Sequence, residues 1–463
     1  MLIEKSTLFL CFFGKYFSKS VTKIIKQNVE NERFLCYNIS GRGTGASESP
    51  IEGGFKMDKV VVERIDAIVN NLDPEIRELA KNIFNHPELG KQEVKACEWQ
   101  CRLLSKYGFE VEKGFCGIPT SYKAVYKGKK PGPKIAMLAE YDALPVLGHA
   151  CGHNLIASMS VGSGIAMREF ADEYGGEIYV IGTPAEETDG AKVEMAAKGA
   201  FDEFDVAMMA HPSFKDAESI NTVAMRCMQI EFHGRTAHAA AAPHEGINAL
   251  DAVINFFNLM NAFRQQTKPD ARLHGVILDG GVAPNIIPDY TRALVYVRAA
   301  KMAYVNELYA KLTDCVKGAA LATGCTYELS EPEAAFKDTC SNRYLSRMVA
   351  TNLETLEHDV MHIDAKTVIP GSSDLGDVSY HCPAVQLTCG MSPKGDKTYY
   401  APHTKEFAEH ACSDTAIDNA LDFVKAFTMT AFELMTNPEH LEAIKEEFKT
   451  VGQEASADER LPL

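Results

Sequence analysis

The stretch LAEYDALPVLGHACGHNLIA at residues 138–157 decides the fold expected of this chain. It continues the apolar run KIAMLAE at 134–140, which predicts a buried strand. His149, Cys151 and His153 follow at alternate positions, and on an extended segment such side chains lie on one face. Cysteine and histidine suit zinc and similar metals, and strand ends are where α/β folds bind ligands. The alternative is a tight turn that buries a cysteine and two hydrogen-bonded histidines.

Composition bounds the class of protein. A chain of 463 residues is long enough for about two or three domains, and 46% hydrophobic with 24% charged residues is usual for a globular protein. The net charge of −16 argues against nucleic-acid and anionic-membrane partners and is compatible with cationic substrates. The odd count of 13 cysteines predicts reduced thiols and a cytoplasmic location. No apolar run approaches the ~18 residues of a membrane span.

The N-terminal segment, residues 1–57, differs in composition from the rest of the chain. It holds a short apolar cluster, a basic segment and a stretch rich in glycine and serine at 41–54. We predict a poorly ordered extension, with Met57 close to the start of the folded unit. A signal peptide and a transit peptide are the alternatives, but the apolar cluster is short and acidic residues are present.

Helix and strand patterns alternate over residues 58–221 and again over 331–440. This alternation predicts one α/β domain in two parts, built on a mainly parallel sheet. The triplet Asp73-Pro74-Glu75 predicts the start of a second helix after one at 58–72. The acidic and polar residues 441–463 are expected to form a frayed C-terminal tail.

Residues 222–330 break that alternation. Their order of patterns is β-α-β-β-α-β, which predicts a compact α+β unit of the ferredoxin-like kind. A unit of this kind inserted in a larger α/β domain predicts a lid or a dimerisation domain.

Metal-ligand residue types stand at or near the ends of several apolar runs. Because the carboxyl ends of parallel strands lie along one edge of a sheet, these candidate ligands are expected to lie close together. Two adjacent acids on an extended segment point opposite ways, so one can bind metal while the other faces substrate. The number of candidates fits two divalent ions, which need about five or six ligands. A surface acidic pair is the alternative for the two glutamates. The candidates are Cys151, His153, Glu186, Glu187, His211 and His403.

The motifs CGH, PAEE, AHP, APHT and YDALP at these positions resemble the aminoacylase and carboxypeptidase family of metal-dependent amidohydrolases, metallopeptidase family 20. The likeness runs over nearly all of residues 58–436 and implies a catalytic domain of the zinc-peptidase type with an inserted lid. It implies that Glu186 is the general base and that Asp142 orients a metal ligand. The metal ligands that it implies are Cys151, His153, Glu187, His211 and His403.

Two departures narrow the branch within that family. Many family members have a histidine at the position of Glu140. This chain lacks that histidine, and so does the amidohydrolase branch of the family. That branch commonly has aspartate after CGH, where this chain has Asn154, as in the dipeptidase branch.

The inserted unit resembles the family's substrate-binding segments in GRTAHAA, APNIIP and YVRA. The resemblance implies that His238 stabilises the oxyanion, reaching in from a partner subunit, and that Asn285 and Arg298 bind substrate. The guanidinium fork of arginine suits a free carboxylate. Gly371 is expected to line the pocket with its backbone amide. An ordinary loop histidine and a structural strand arginine are the alternatives for His238 and Arg298.

The resemblance implies hydrolysis of dipeptides next to a free carboxylate, with a basic C-terminal residue such as β-alanyl-lysine or Xaa-Arg, as a metabolite-repair reaction. It also implies a homodimer formed through the lid. Zinc is the expected metal, with manganese or cobalt as alternatives. An N-acyl-amino-acid deacylase and a catalytically silent metal-binding protein are the alternative functions.

Overall fold

The structure is a computed structural model that describes residues 57–458 except 365, 366, 395 and 397, with the backbone alone for 451–458. Of the predicted N-terminal extension, residues 1–56 lie outside the described residues. The helices are α1 Lys59–Asn85, α2 Val94–Lys106, α3 His153–Tyr174, α4 Ala191–Ala197, α5 Ala249–Phe263, α6 Met302–Thr323, α7 Arg343–Thr355, α8 Leu375–Val378, α9 Lys405–His410, α10 Asp414–Thr436 and α11 Pro438–Asp458. The strands are β1 Glu110–Lys113, β2 Tyr122–Lys127, β3 Lys134–Ala139, β4 Glu177–Gly182, β5 Val206–Ser213, β6 Asn221–Thr222, β7 Ala224–His233, β8 Arg272–Asp279, β9 Tyr290–Ala299, β10 Thr326–Ser330, β11 Val368–Ile369 and β12 Ala384–Gly390.

The main sheet has six strands in the order β1-β2-β4-β3-β5-β12. The four strands from β4 to β12 pair in parallel, as the alternating pattern predicts. The outer strands β1 and β2 are antiparallel to their neighbours, so the sheet is mixed at that edge. The carboxyl ends of the four parallel strands lie along one edge, which is the usual ligand-binding edge of such sheets.

Apolar layers cover both faces of this sheet. On one face β3 and its neighbours share a core with α1, α3 and α10, and on the other face they share a core with α4 and α8. Strands buried on both faces need continuous apolar runs, which explains the sequence of β3. Gly164 of α3 lies against β4, where a β-carbon would overlap the Val180 side chain. Glycine therefore allows α3 to approach the sheet closely.

Helix α1 is continuous and contains Pro74, so the predicted second helix start at residue 73 is wrong. The helix begins instead after Asp58, whose side chain accepts a hydrogen bond from the backbone N–H of Val60 at 2.9 Å. Proline inside a helix costs about 3 kcal/mol. Buried residues on both sides of it, including Leu72 and Ile76, pack into one core, and this packing outweighs the cost.

A second sheet of four antiparallel strands has the order β10-β7-β9-β8. Helices α5 and α6 pack on one of its faces around a separate apolar core. Strand β9 alternates buried and half-exposed residues, as expected when only one face is covered. The element order is the β-α-β-β-α-β order that the sequence predicts, and β8 is an edge strand.

The predicted frayed tail is wrong for the part of it that the structure describes, because α11 is a helix from Pro438 to Asp458. Ile444 is fully buried and its carbonyl accepts a hydrogen bond from the Asn342 side chain at 3.0 Å. The Glu447 carboxylate accepts hydrogen bonds from the backbone N–H groups of Arg343 and Tyr344 at the start of α7. These tertiary contacts hold a segment whose composition alone predicts a tail. None of the described helices has the length and apolar content to cross a membrane.

Candidate metal centre and active site

The first candidate ligands, Cys151 and His153, lie in a turn at the end of the loop after β3 and at the start of α3. Residues 149–151 are not extended, so the predicted alternation of His149, Cys151 and His153 on one face is wrong. Gly152 adopts φ +80°, and a β-carbon there would lie 2.7 Å from the Pro212 side chain. His153 therefore begins α3 with its side chain fully buried, and His149 packs near the Phe84 ring instead.

Asp142 fixes two of the candidate ligands at once. One of its carboxylate oxygens pairs with Nδ1 of His153 at 2.9 Å, and the other accepts the backbone N–H of Glu187 at 2.9 Å. The Nε2 atom of His153 is thereby turned toward the strand ends, where it is buried without a hydrogen-bond partner among the described residues. A metal-binding histidine generally has its other ring nitrogen held in this way.

His211 enters from the neighbouring strand β5. Its Nδ1 lies 2.9 Å from the carbonyl oxygen of Pro212, which leaves Nε2 facing Cys151 Sγ at 3.3 Å. The imidazole rings of His153 and His211 are nearly perpendicular, with centroids 5.7 Å apart. The CGH and AHP motifs, whose Cys151 and His211 are 60 residues apart in sequence, therefore form one cluster.

Glu186 and Glu187 follow β4, and His403 precedes α9. Nε2 of His403 lies 3.4 Å from Oε1 of Glu187, and its backbone N–H donates to the Ala150 carbonyl at 2.9 Å. His403 has φ +61°, a conformation uncommon for a residue with a β-carbon. The loop that carries His403 is thus tied to the loop that carries Cys151.

The donors form three overlapping groups in which the ligand atoms lie within 4.8 Å of one another. Thiol, imidazole and carboxylate donors are the set that zinc accepts, and their number is sufficient for two ions. The unsatisfied Nε2 of His153 is a further sign that these residues fit a cation. The groups are Cys151–His153–His211, Cys151–Glu187–His403 and His153–Glu186–Glu187.

Glu186 belongs to this cluster, but its carboxyl group is in a different electrostatic environment. Burial raises the pKa of Glu186 well above its ordinary value, and the nearby carboxylates of Glu140, Asp374 and Glu187 raise it further. A divalent cation beside it would act in the opposite direction. A carboxyl group in such surroundings has the character of a proton acceptor and donor.

Sequence reasoning missed a buried ion cluster beside the candidate ligands. The Lys192 ammonium group is fully buried and lies 2.6 Å from carboxylate oxygens of both Glu140 and Asp374. The other oxygen of Glu140 lies 3.5 Å from Nε2 of His153. Glu140 is recognisable in the sequence as a departure from the family pattern. No sequence pattern around Lys192 indicates that this residue is buried in an ion cluster. Its partner Asp374 comes from a segment 182 residues away.

The predicted substrate residues lie on the four-stranded domain and its neighbouring loop. His238 and Asn285 are exposed and their loops are joined, since the N–H of Ala239 donates to the Asn285 carbonyl at 3.0 Å. Arg298 is half-buried on the face of β9 away from the helices, and one of its guanidinium nitrogens donates to Ser372 Oγ at 3.1 Å. The adjacent Gly371 is exposed, and its carbonyl accepts the N–H of Val223.

Known proteins are similar to this chain in sequence and in fold. Residues 224–323 match a family model described as a peptidase dimerisation domain. A mouse (Mus musculus) Xaa-Arg dipeptidase is 36% identical over 406 residues, which is 85% of this chain and 92% of the mouse protein.

Solved structures of other proteins have a similar fold. An aminobenzoyl-glutamate utilization protein from Klebsiella pneumoniae aligns with TM-score 0.59 and 19% identity, covering 77% of this chain and 98% of that one. A Bacillus subtilis dinuclear metal-binding peptidase of the M20 family aligns with TM-score 0.57 and 18% identity over 79% and 99%.

The fold, the donor cluster and these relatives define a peptidase or amidohydrolase. More specifically, the chain belongs to the M20 family of metallopeptidases. The family resemblance of the motifs is thus confirmed.

Proposed function

We propose that this protein is a metal-dependent dipeptidase that removes a basic C-terminal residue such as arginine, lysine or ornithine. The observation that carries the proposal is the convergence of the CGH, PAEE, AHP and APHT motifs at one edge of the parallel sheet. The likeness to the mouse Xaa-Arg dipeptidase supports the substrate class. The net charge of −16 is compatible with cationic substrates.

Five side chains are assigned to the two ions, and their donor types support this assignment. Asp142 acts through His153 and Glu187, to which it is hydrogen-bonded. Divalent ions held there, zinc or alternatively manganese or cobalt, would polarise the scissile carbonyl and lower the pKa of water. The assigned ligands are Cys151, His153, Glu187, His211 and His403.

Glu186 is assigned as the general base. It lies beside the donor atoms of His153 and Glu187. In this role its carboxylate takes a proton from the attacking water and then delivers it to the leaving amine.

Arg298, Asn285 and Gly371 are assigned to the substrate. The guanidinium group of Arg298 is only half-exposed, and its Nε is buried without a hydrogen-bond partner among the residues that the structure describes. A free carboxylate would satisfy it with a bidentate pair. The exposed Asn285 side chain and Gly371 backbone offer further polar contacts.

The dimer is proposed to form through the edge strand β8. Val276, Ile277 and Leu278 are exposed on this unpaired edge, which exposes backbone groups as well as apolar side chains. In the dimer, His238 would reach the partner's active site and stabilise the oxyanion. The proposed division is a catalytic domain at 58–221 and 331–440 with a lid at 222–330, and the separate core of the second sheet supports it.

The test is turnover of a substrate panel by the purified protein. Dipeptides with basic, acidic and apolar C-terminal residues would be assayed beside N-acetyl amino acids, with and without a chelator. We expect chelator-sensitive cleavage that prefers lysine, ornithine or arginine at the C-terminus. Preference for N-acetyl substrates would indicate a deacylase, and no turnover with any added metal would indicate a silent protein.

A further inference from the structure

The carboxyl group of Glu93 is fully buried outside the metal centre. Burial raises its pKa to about 7. A buried carboxyl group is costly unless it is hydrogen-bonded. One oxygen of Glu93 accepts the backbone N–H of Ala185 at 2.8 Å, and the other accepts the Thr120 hydroxyl at 3.0 Å. Both partners come from distant parts of the chain.

Ala185 is the residue immediately before Glu186 in the PAEE motif. It adopts φ +60°, in the left-handed region that residues with a β-carbon rarely enter. Such a conformation persists only where the surroundings enforce it. The hydrogen bond to Glu93 is a direct constraint of that kind.

The segment that leads into Glu93 also packs on the same turn. A β-carbon at Gly90 would overlap the Thr188 side chain and lie 3.0 Å from Cβ of Ala185. Lys91 pairs with Asp189 at 3.0 Å. Residues 90–93 therefore pack directly against the PAEE turn.

Helix capping does not account for Glu93. It occupies the N-cap position of α2, but its carboxyl group makes no capping hydrogen bond. The Glu88 carboxylate serves this purpose instead, accepting the backbone N–H groups of Lys95 and Ala96 at 2.9 and 3.0 Å. The backbone carbonyl of Glu88 meanwhile accepts the N–H of Ala143, next to the Asp142 loop, at 2.9 Å.

We propose that Glu93 is a positioning residue that holds the turn before Glu186 in its left-handed conformation and so aims the general base. This role rests on the proposed function of Glu186. We expect metal binding to stay unchanged, because Glu187, the assigned ligand on the same turn, is held separately by Asp142 through its backbone N–H.

The experiment compares Glu93→Ala, Glu93→Gln and the double variant Glu93→Ala with Ala185→Gly in the full chain. Glutamine retains an acceptor for the Ala185 N–H, and its amide can donate to the Thr120 hydroxyl. Glycine enters the left-handed region without strain, so it needs no enforcing bond. Glu98→Ala on the exposed side of α2 is the control.

We expect Glu93→Ala to lower kcat roughly 10- to 100-fold with KM and metal content unchanged, since a misplacement of about 1 Å can cost about 100-fold. Glu93→Gln should stay near wild type, and the added Ala185→Gly should restore part of the loss. Hydrogen exchange of residues 183–190 should accelerate in Glu93→Ala and remain unchanged in Glu98→Ala.

The positioning role would be overturned if the wild type is active and Glu93→Ala has the same kcat. It would also be overturned if Glu93→Gln and the double variant both lose activity. If Glu93→Ala does not fold, Thr120→Val removes one hydrogen bond at constant shape and should lower kcat several-fold with KM unchanged. A wild type that turns over no substrate would refute the proposed function instead, and hydrogen exchange would still test the constraint on Ala185.

Discussion

Asp142 holds Nδ1 of His153 at 2.9 Å with one oxygen and the backbone N–H of Glu187 at 2.9 Å with the other. A single carboxylate thereby links the loop after β3 to the loop after β4. The relationship sets the ring orientation of one assigned ligand and the backbone position of another. Its loss should therefore affect both metal ligands together.

Replacing Asp142 by asparagine tests that linkage. Asparagine preserves the shape but removes the charge that holds the histidine, so we expect metal affinity to fall about 10- to 100-fold. Metal content after dialysis against graded free zinc is the measurement. Retention of wild-type affinity would mean that His153 is oriented by the fold alone.

Replacing Glu186 by glutamine tests the general base. We expect turnover to fall by about 10²- to 10⁴-fold, because glutamine cannot accept the proton, with the metal retained. Dipeptide turnover and metal stoichiometry would be measured on the same sample. Exposed Glu194→Gln on α4 is the control, and substantial activity in Glu186→Gln would assign the base elsewhere.

Truncation of His238 to alanine tests oxyanion stabilisation. An interaction made only in the transition state lowers kcat more than it raises KM, and we expect a loss on the order of 10²- to 10³-fold. The exposed His244 in the same domain provides a matched alanine control. An effect confined to KM would make His238 a substrate-binding residue only.

A charge on the β8 edge tests the dimer. Ile277→Lys should disrupt pairing of two edges, since lysine on an edge strand opposes sheet extension. We expect a monomer by light scattering, and a lower kcat because His238 would no longer reach a partner site. Leu321→Lys on α6, also exposed, should leave the assembly intact. A dimeric Ile277→Lys protein would move the interface to another surface.

His358 should make stability depend on pH. Its buried ring lies between Asp216 at 2.8 Å and Asp422 at 3.0 Å. Burial lowers the pKa of His358, but the two aspartates outweigh burial and raise it above its ordinary 6.5, while the pKa of Asp422 is lowered to about 2. The ion pairs are thus complete below about pH 6.5 and weaken as the pH rises through the raised histidine pKa.

We expect His358→Asn to destabilise the fold by about 1–3 kcal/mol at pH 6 and by less at pH 9. Thermal unfolding at both pH values would measure the difference. The half-exposed His410→Asn, whose ring is not paired with a carboxylate among the described residues in the way that His358 is, is the control, with no comparable change between the two pH values. An equal loss for His358→Asn at pH 6 and pH 9 would mean that the ring contributes by packing and not by charge.

Local sequence patterns predict most of the helices and strands in this chain. They fail where contacts with distant segments determine whether a helix continues or forms. The run at 134–140 predicts β3 because a strand buried on both faces must be apolar throughout. Pro74 misleads because proline signals a helix start when its neighbours are considered alone. Helix α11 shows the same limit, since the burial of Ile444 and the hydrogen bonds of Glu447 to the start of α7 come from distant segments.

The sequence by itself determined the types of donor, their motifs and the α/β class, because these depend on residue chemistry and short-range periodicity. Only the tertiary structure decided which donors meet, since Cys151 and His211 become neighbours through the order of strands in the sheet. It also decided the burial of Lys192 between Glu140 and Asp374 and the hydrogen bond from Ala185 to Glu93. Such contacts join segments far apart along the chain, and no local pattern specifies them.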